Sequence, residues 1–207
     1  MNKMQNLEII MGCMFSGKST ELIKRIRCHR VLSRNVVCIT HGIDQRYNEL
    51  LDKRACQDDN CAKEREIERP KIITHNLDHI SSISAFQLAD ISREKIEQAD
   101  VICIEEAQFF NDLYENVLMY VNEFQKYVIV CGLDGDFQAQ PFINVLRLIP
   151  HADHVVKLSA LCMDCKDGTA ATFTKRLQSN NHEQIVIGGS DLYKSVCRFH
   201  FNFNHSQ

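Results

Sequence analysis

The sequence predicts an α/β fold, a mostly parallel sheet with helices on both faces, followed by a small metal-held appendage. Three observations predict it. Short apolar runs alternate with helical patterns through the first three quarters of the chain. A Gly-rich segment follows the first of those runs and opens the first helix. After Leu158 the pattern breaks into short polar pieces that carry paired cysteines and a histidine.

The elements follow in order. Leu7 to Met11 reads as a buried strand. Lys18 to Leu32 reads as a helix with Leu22, Ile23 and Ile26 on one face and Lys24, Arg25 and Arg27 off it. Val36 to Ile39 is the next strand, and residues 44–70 are polar and mixed in charge, a long loop that includes some helix. Lys71 to Thr74 reads as a short strand, and Phe86 to Gln98 as a helix. Val101 to Ile104 and Tyr127 to Cys131 are buried strands around a periodic helix marked by Leu113, Val117, Val121 and Phe124. A helix is expected from Pro141 to just before Pro150, then a last sheet strand, His154 to Leu158. Strands apolar on every residue argue for a sheet covered on both faces. The boundary near Leu158 gives two expected domains, 1–158 and 159–207.

The totals exclude several classes. At 207 residues the chain can bury a core without disulfides. A formal charge of −3 does not suit a protein that coats nucleic acid or an anionic membrane. No stretch approaches the roughly 20 apolar residues of a membrane span. No targeting segment is visible at the polar N-terminus, so a cytoplasmic protein is expected. Ten cysteines in a reducing compartment read as thiols or metal ligands. Cys28, Cys38, Cys103 and Cys131 lie in helix-like or strand-like stretches and read as small core residues.

Gly12-Cys13-Met14-Phe15-Ser16-Gly17-Lys18-Ser19 fits G-x-x-x-x-G-K-S between a predicted strand and a predicted helix. Backbone N–H groups of such a loop face phosphates. Gly12 and Gly17 allow the backbone angles, Lys18 supplies charge to the terminal phosphates, and the Ser19 hydroxyl can hold Mg²⁺. From average residue usage, a chance match in this length is on the order of one in a hundred. Nucleoside triphosphate binding is therefore expected, in a phosphate-loop NTPase-like fold.

The strand Val101 to Ile104 ends in Glu105 and Glu106. A carboxylate at a neighbouring strand tip helps hold Mg²⁺ in phosphate-loop enzymes. If the strand continues, alternation turns the second acid the other way, toward an acceptor hydroxyl that needs a base. Glu105 is the candidate metal partner and Glu106 the candidate base. Taken alone, two solvated acids at a strand end would be the commoner reading.

Cys162-Met163-Asp164-Cys165 and Cys197-Arg198-Phe199-His200 are two pairs with metal-ligand spacing. A Cys₃His set fills all four positions of a tetrahedral zinc ion, so Zn²⁺ should be structural.

With these features located, the chain resembles the cellular-type (type II) thymidine kinases over nearly its whole length. The resemblance is carried by Met14-Phe15-Ser16-Gly17-Lys18-Ser19-Thr20-Glu21-Leu22, Glu106-Ala107-Gln108-Phe109-Phe110, Leu133-Asp134-Gly135-Asp136-Phe137-Gln138 and Pro141-Phe142. Val155-Val156-Lys157-Leu158, Thr174-Lys175-Arg176 and Val186-Ile187-Gly188-Gly189-Ser190-Asp191 complete it. It implies Mg²⁺-ATP as donor, thymidine as acceptor, a zinc-held lasso, and a homotetramer. It implies Glu106 as the base and Phe137, Met14, Leu133 and Thr174 around the nucleobase. It further implies that the lasso backbone, Gln184, Ile185, Val186, Ile187 and Gly188, reads the thymine, with Tyr193 at the sugar side. Asp44, Gln45 and Arg46 would meet the nucleotide, with Glu105, Ala107 and Gln108 beside them.

Four departures from the family pattern are visible. Cys13 replaces the usual proline, where only a backbone amide is asked. Glu105 stands for the usual Asp, which changes reach to a metal-bound water. Residues 51–70 look like an insertion, and Gly168-Thr169 lengthens the link from Cys165 to Thr174.

The expected activity is phosphorylation of thymidine, and of deoxyuridine, by ATP. A catalytically impaired nucleotide sensor would bind ATP without product, and the Glu105 change is its only support. A zinc-ribbon motor on nucleic acid would need the basic, aromatic-rich surface that this chain lacks.

Overall fold

The computed structural model describes residues 5–43, 71–73, 79–177 and 188–203. Its centre is a six-stranded sheet. In chain order its strands are β1 (Asn6–Gly12), β2 (Val36–His41), β5 (Ile83–Ala85), β6 (Val101–Glu105), β7 (Tyr127–Gly132) and β8 (His154–Leu158). They lie in the order β5-β2-β6-β7-β1-β8, and every pair is parallel. The expected mostly parallel sheet is thus parallel throughout.

Alternation explains why the central strands are apolar at both parities over most of their length, with Glu8 of β1 the exception, paired with Arg25 of the first helix. Leu7, Ile9, Ile102, Ile104, Val128 and Val130 enter one core. Ile10, Val101, Cys103, Ile129 and Cys131 enter the other, which α1 (Lys18–Val31) closes with Leu22, Ile23 and Ile26. On the first face lie α2 (Arg93–Gln98), α3 (Leu113–Asn122) and α4 (Ile143–Leu146), which contribute Ile96, Val117 and Val145. Two buried faces demand apolar side chains at both parities. Cys38, Cys103 and Cys131 are buried as expected, but Cys28 is exposed. It falls outside the Leu22–Ile23–Ile26 stripe of α1.

Two helical expectations are corrected. Residues 86–98 do not form one helix. Gln87 and Ile91 are extended on either side of a 3₁₀ turn, Leu88–Asp90, and α2 begins only after Ser92. The Asp112 carboxylate accepts from the N–H groups of Leu88 (3.1 Å) and Ala89 (2.9 Å), which captures the turn locally. The expected Pro141-to-Pro150 helix is the single turn α4, followed by a 3₁₀ turn, Ile149–His151, that contains Pro150. Proline near a turn's start is tolerated because its missing N–H would have no partner there.

The short strand expected from Lys71 is present as β3 (Lys71–Ile73). It pairs antiparallel with β4 (His79–Ser81), outside the main sheet.

The C-terminal lobe has two small antiparallel pairs. One joins β9 (Ala160–Leu161) to β10 (Ala170–Ala171), the other β11 (Phe173–Arg176) to β12 (Tyr193–Val196). A short helix, α5 (Arg198–Asn202), follows. Among the described residues no helix is long and apolar enough to cross a membrane.

Candidate active site and metal centre

The carboxyl edge of the parallel sheet gathers the chemistry. This is the edge at which open α/β sheets bind ligands. Residues 12–19 leave the tip of β1 and open α1. Gly12 has φ 151°, and a Cβ there would lie 2.4 Å from the Leu158 carbonyl oxygen. That contact is with backbone, so it cannot be relieved by a rotamer. Gly17 has φ 84° at the N-cap of α1, and Phe15 is also left-handed at φ 65°. This backbone exposes successive N–H groups as an anion nest. The Lys18 ammonium donates to the Cys13 carbonyl at 2.8 Å, which holds it over the loop. Ser16 Oγ is buried without a hydrogen-bond partner, as a donor to a phosphate oxygen would be.

The loop is tied to the C-terminal lobe by its own residues. The Met14 N–H donates to Thr174 Oγ1 at 3.0 Å. Cys13 is only 2 % exposed and belongs to the lobe's core with Ala160, Cys162, Ala171, Val196 and Phe201. Its thiol donates to the Ala171 carbonyl at 3.4 Å. Burial raises its pKa, which keeps it a protonated donor. The expectation that only a backbone amide is asked of Cys13 is therefore corrected: its side chain packs between loop and lobe.

At the tip of β6 the two acids separate by a turn rather than by strand alternation. Glu105 ends the strand and is 2 % exposed. Glu106 leaves it in a left-handed conformation, φ 50° and ψ 41°. A non-glycine residue held there is strained by roughly 1–3 kcal/mol. Gln108 completes the arrangement. Its Nε2 donates to Glu106 Oε2 at 2.5 Å, and its Oε1 accepts from the Leu133 N–H at 3.0 Å. A Cβ on Gly132 would come within 2.8 Å of Gln108 Oε1, so glycine admits this bridge. Ala107 and Gln108 are buried against the tip of β7, and Leu133 is half-buried just beyond it.

After β7 the chain turns around Asp136, whose Oδ1 accepts from the N–H groups of Gln138 and Gln140, both at 2.8 Å. This side chain–backbone turn presents Phe137. The Arg176 guanidinium lies 3.7 Å from the centre of the Phe137 ring. Sequence reasoning gave no role to Asp136 or Arg176. Both stood inside recognisable motifs, but only the folded turn shows what they hold. A cleft of about 200 Å³ opens beside these residues, lined by Cys13, Asp134, Asp136, Pro141, Lys157 and Thr174. Lys157 Nζ and Asp134 Oδ2 pair across it at 2.6 Å.

In the lobe, the ligand atoms of Cys162, Cys165, Cys197 and His200 lie within 4.8 Å of one another. Cys165 Sγ is 3.8 Å from Cys197 Sγ. His200 Nδ1 is 3.6, 3.4 and 3.4 Å from the sulfurs of Cys162, Cys165 and Cys197. A tetrahedron with Zn–S near 2.3 Å has S···S edges of about 3.8 Å, so the donor set fits zinc. Burial opposes ionisation of Cys162, but N–H groups of Cys197, Cys165 and Asp164 outweigh it and bring the thiol down to about 6. The Cys197 N–H donates to its sulfur at 3.3 Å. These donors suit a thiolate ligand.

Gly188 and Tyr193 are placed at the base of the β11–β12 pair, where the Leu192 and Tyr193 N–H groups both donate to the Gly189 carbonyl. Asp44, Gln45, Arg46, Gln184, Ile185, Val186 and Ile187 lie outside the described residues.

A phosphate loop, strand-tip acids on the same sheet edge and a lobe with a Cys₃His set fit for a metal ion define a phosphate-loop nucleotide-dependent transferase. The thymidine kinase family model matches residues 5–68 and 54–201. The thymidine kinase of Vaccinia virus (strain Western Reserve) is 40 % identical over 193 residues, 93 % of this chain and 94 % of that protein. The Monkeypox virus thymidine kinase is 39 % identical over the same shares, and that of Variola virus 40 %. The chain belongs to the thymidine kinase family.

Proposed function

We propose that this chain transfers the γ-phosphoryl group of ATP to the 5′-hydroxyl of thymidine, and of deoxyuridine, with Glu106 as general base. The observation that carries it is the Glu106 turn. A carboxylate carried on a strained backbone turn and held by Gln108 stands on the same sheet edge as the phosphate loop. In the transfer, Glu106 takes the hydroxyl proton as the oxygen attacks phosphorus, and ADP leaves. The loop N–H groups and Lys18 hold the β- and γ-phosphates. Asp44, Gln45 and Arg46 complete the nucleotide site, with Ala107 and Gln108 nearby. Met14, Leu133, Phe137 and Thr174 wall the nucleobase, Gln184 to Gly188 supply backbone partners to it, and Tyr193 flanks the sugar. Apolar walls with a few fixed polar groups are what a nucleobase pocket requires.

Ser19 and Glu105 are the residues that would hold Mg²⁺, which neutralises charge on the phosphate oxygens when bound. The Cys₃His cluster holds Zn²⁺ as a structural ion. The two domains of this reading are 1–158 and 159–207. The working molecule is a cytoplasmic homotetramer, a reading supported by the family resemblance and tested by its mass in solution.

The test is transfer of labelled phosphate from Mg-ATP to thymidine by the wild type and Glu106→Gln. Thymidine monophosphate should form, and the variant should lose at least about 100-fold in kcat with ATP affinity retained. Binding of ATP by the zinc-loaded wild type without any product would overturn the kinase and leave a sensor.

A further inference from the structure

We propose that Arg176 is a positioning residue for the nucleoside, clasping Phe137 and Tyr193 into one rigid wall. The inference rests on the reading that these two aromatics flank the acceptor. Arg176 and Tyr193 face each other across the β11–β12 pair. Arg176 Nη2 donates to the Tyr193 hydroxyl at 3.0 Å, and the guanidinium lies 5.4 Å from that ring's centre. The same guanidinium lies 3.7 Å from the centre of the Phe137 ring, which belongs to a different part of the fold. Phe137 is itself presented by the Asp136 turn. One side chain therefore joins a residue of the loop after β7 to a residue of the C-terminal lobe.

The chemistry favours arginine here. A flat guanidinium can stack on one ring while its N–H groups, in the same plane, reach a hydroxyl. A lysine ammonium is a point charge without that plane. A ring has two faces. With one taken by the guanidinium, Phe137 can offer a flat base only its other face or its edge. Arg176 thereby sets the orientation in which the nucleobase meets the wall, without bonding to the base itself.

The experiment measures thymidine and ATP dissociation constants by calorimetry, together with kcat and KM, for wild type, Arg176→Ala, Arg176→Lys, Tyr193→Phe, Phe137→Leu and the Ala/Leu double variant. Arg176→Ala should weaken thymidine about tenfold, with ATP affinity within about twofold and kcat changed less than KM. Arg176→Lys and Tyr193→Phe should each weaken thymidine about threefold. In the Phe137→Leu background, removal of Arg176 should cost under about twofold more, because the clasp is already broken. These two milder variants decide the matter if alanine unfolds the lobe, which zinc content per chain will show. Unchanged thymidine affinity in them, multiplying losses in the double variant, or tighter thymidine binding without Arg176 would overturn the proposal. The last result would make the guanidinium an occupant of the base's place. Failure of the wild type to phosphorylate thymidine would strike the functional reading alone, since variant-to-wild-type binding ratios report on Arg176.

Discussion

Gln108 shows how much one neutral side chain can fix. Its amide faces two ways, donating to Glu106 and accepting from the backbone of Leu133, and it is 4 % exposed. A buried amide with both ends bonded has little freedom to let Glu106 drift. Gln108→Ala should lower kcat about tenfold with ATP affinity intact, because a misplaced base costs rate rather than ground-state binding. Steady-state kinetics with nucleotide binding measured separately will check it, and equal losses in both would point to a folding defect instead. Of this region the sequence disclosed Glu106, because an acid after an apolar strand means something once a phosphate loop is present. It did not disclose the bridge to Leu133, because that pairing spans separate strands and depends on Gly132 leaving room. Cys13 was legible as a position in a motif, and only the fold shows its thiol against Ala171.

At the scale of elements, strands and the first helix were readable because both are set by burial. β6 and β7 are apolar on both covered faces, β1 likewise except at Glu8, and α1 carries its stripe in Leu22, Ile23 and Ile26. Residues 86–98 were not readable as a helix and its interruption, since the decisive partner is Asp112, distant in sequence. The pair formed by β11 and β12 matters through one bond it makes outward, from the Met14 N–H to Thr174 Oγ1. Thr174→Val keeps the shape and removes the acceptor, leaving a part-buried N–H unpaired at a cost of about 1–3 kcal/mol. A lower denaturant midpoint and weaker ATP binding are expected, and Thr174→Ser should restore both. A serine variant as impaired as valine would mean that the methyl packing, not the bond, is what counts.

For the whole molecule, the parallel sheet and the metal lobe were each visible in the sequence, but their union was not. Periodicity reports faces within an element, and ligand spacing reports a metal; neither reports that a loop residue enters another lobe's core. Cys13 lies in one cluster with Cys162 and Cys197, so two of the four metal-ligand candidates and the phosphate loop share packing. Zinc stabilises such a lobe by holding its ligands together, and removing it releases that stabilisation. Chelation, or Cys165→Ser, should therefore unfold the lobe and weaken ATP binding by about tenfold or more, while the helical signal of α1 to α4 persists. Calorimetric ATP titration alongside metal analysis and far-ultraviolet circular dichroism will show it. ATP affinity that survives complete zinc loss would mean the loop holds its nest unaided, and that the Cys13 and Thr174 contacts follow the lobe without supporting the loop.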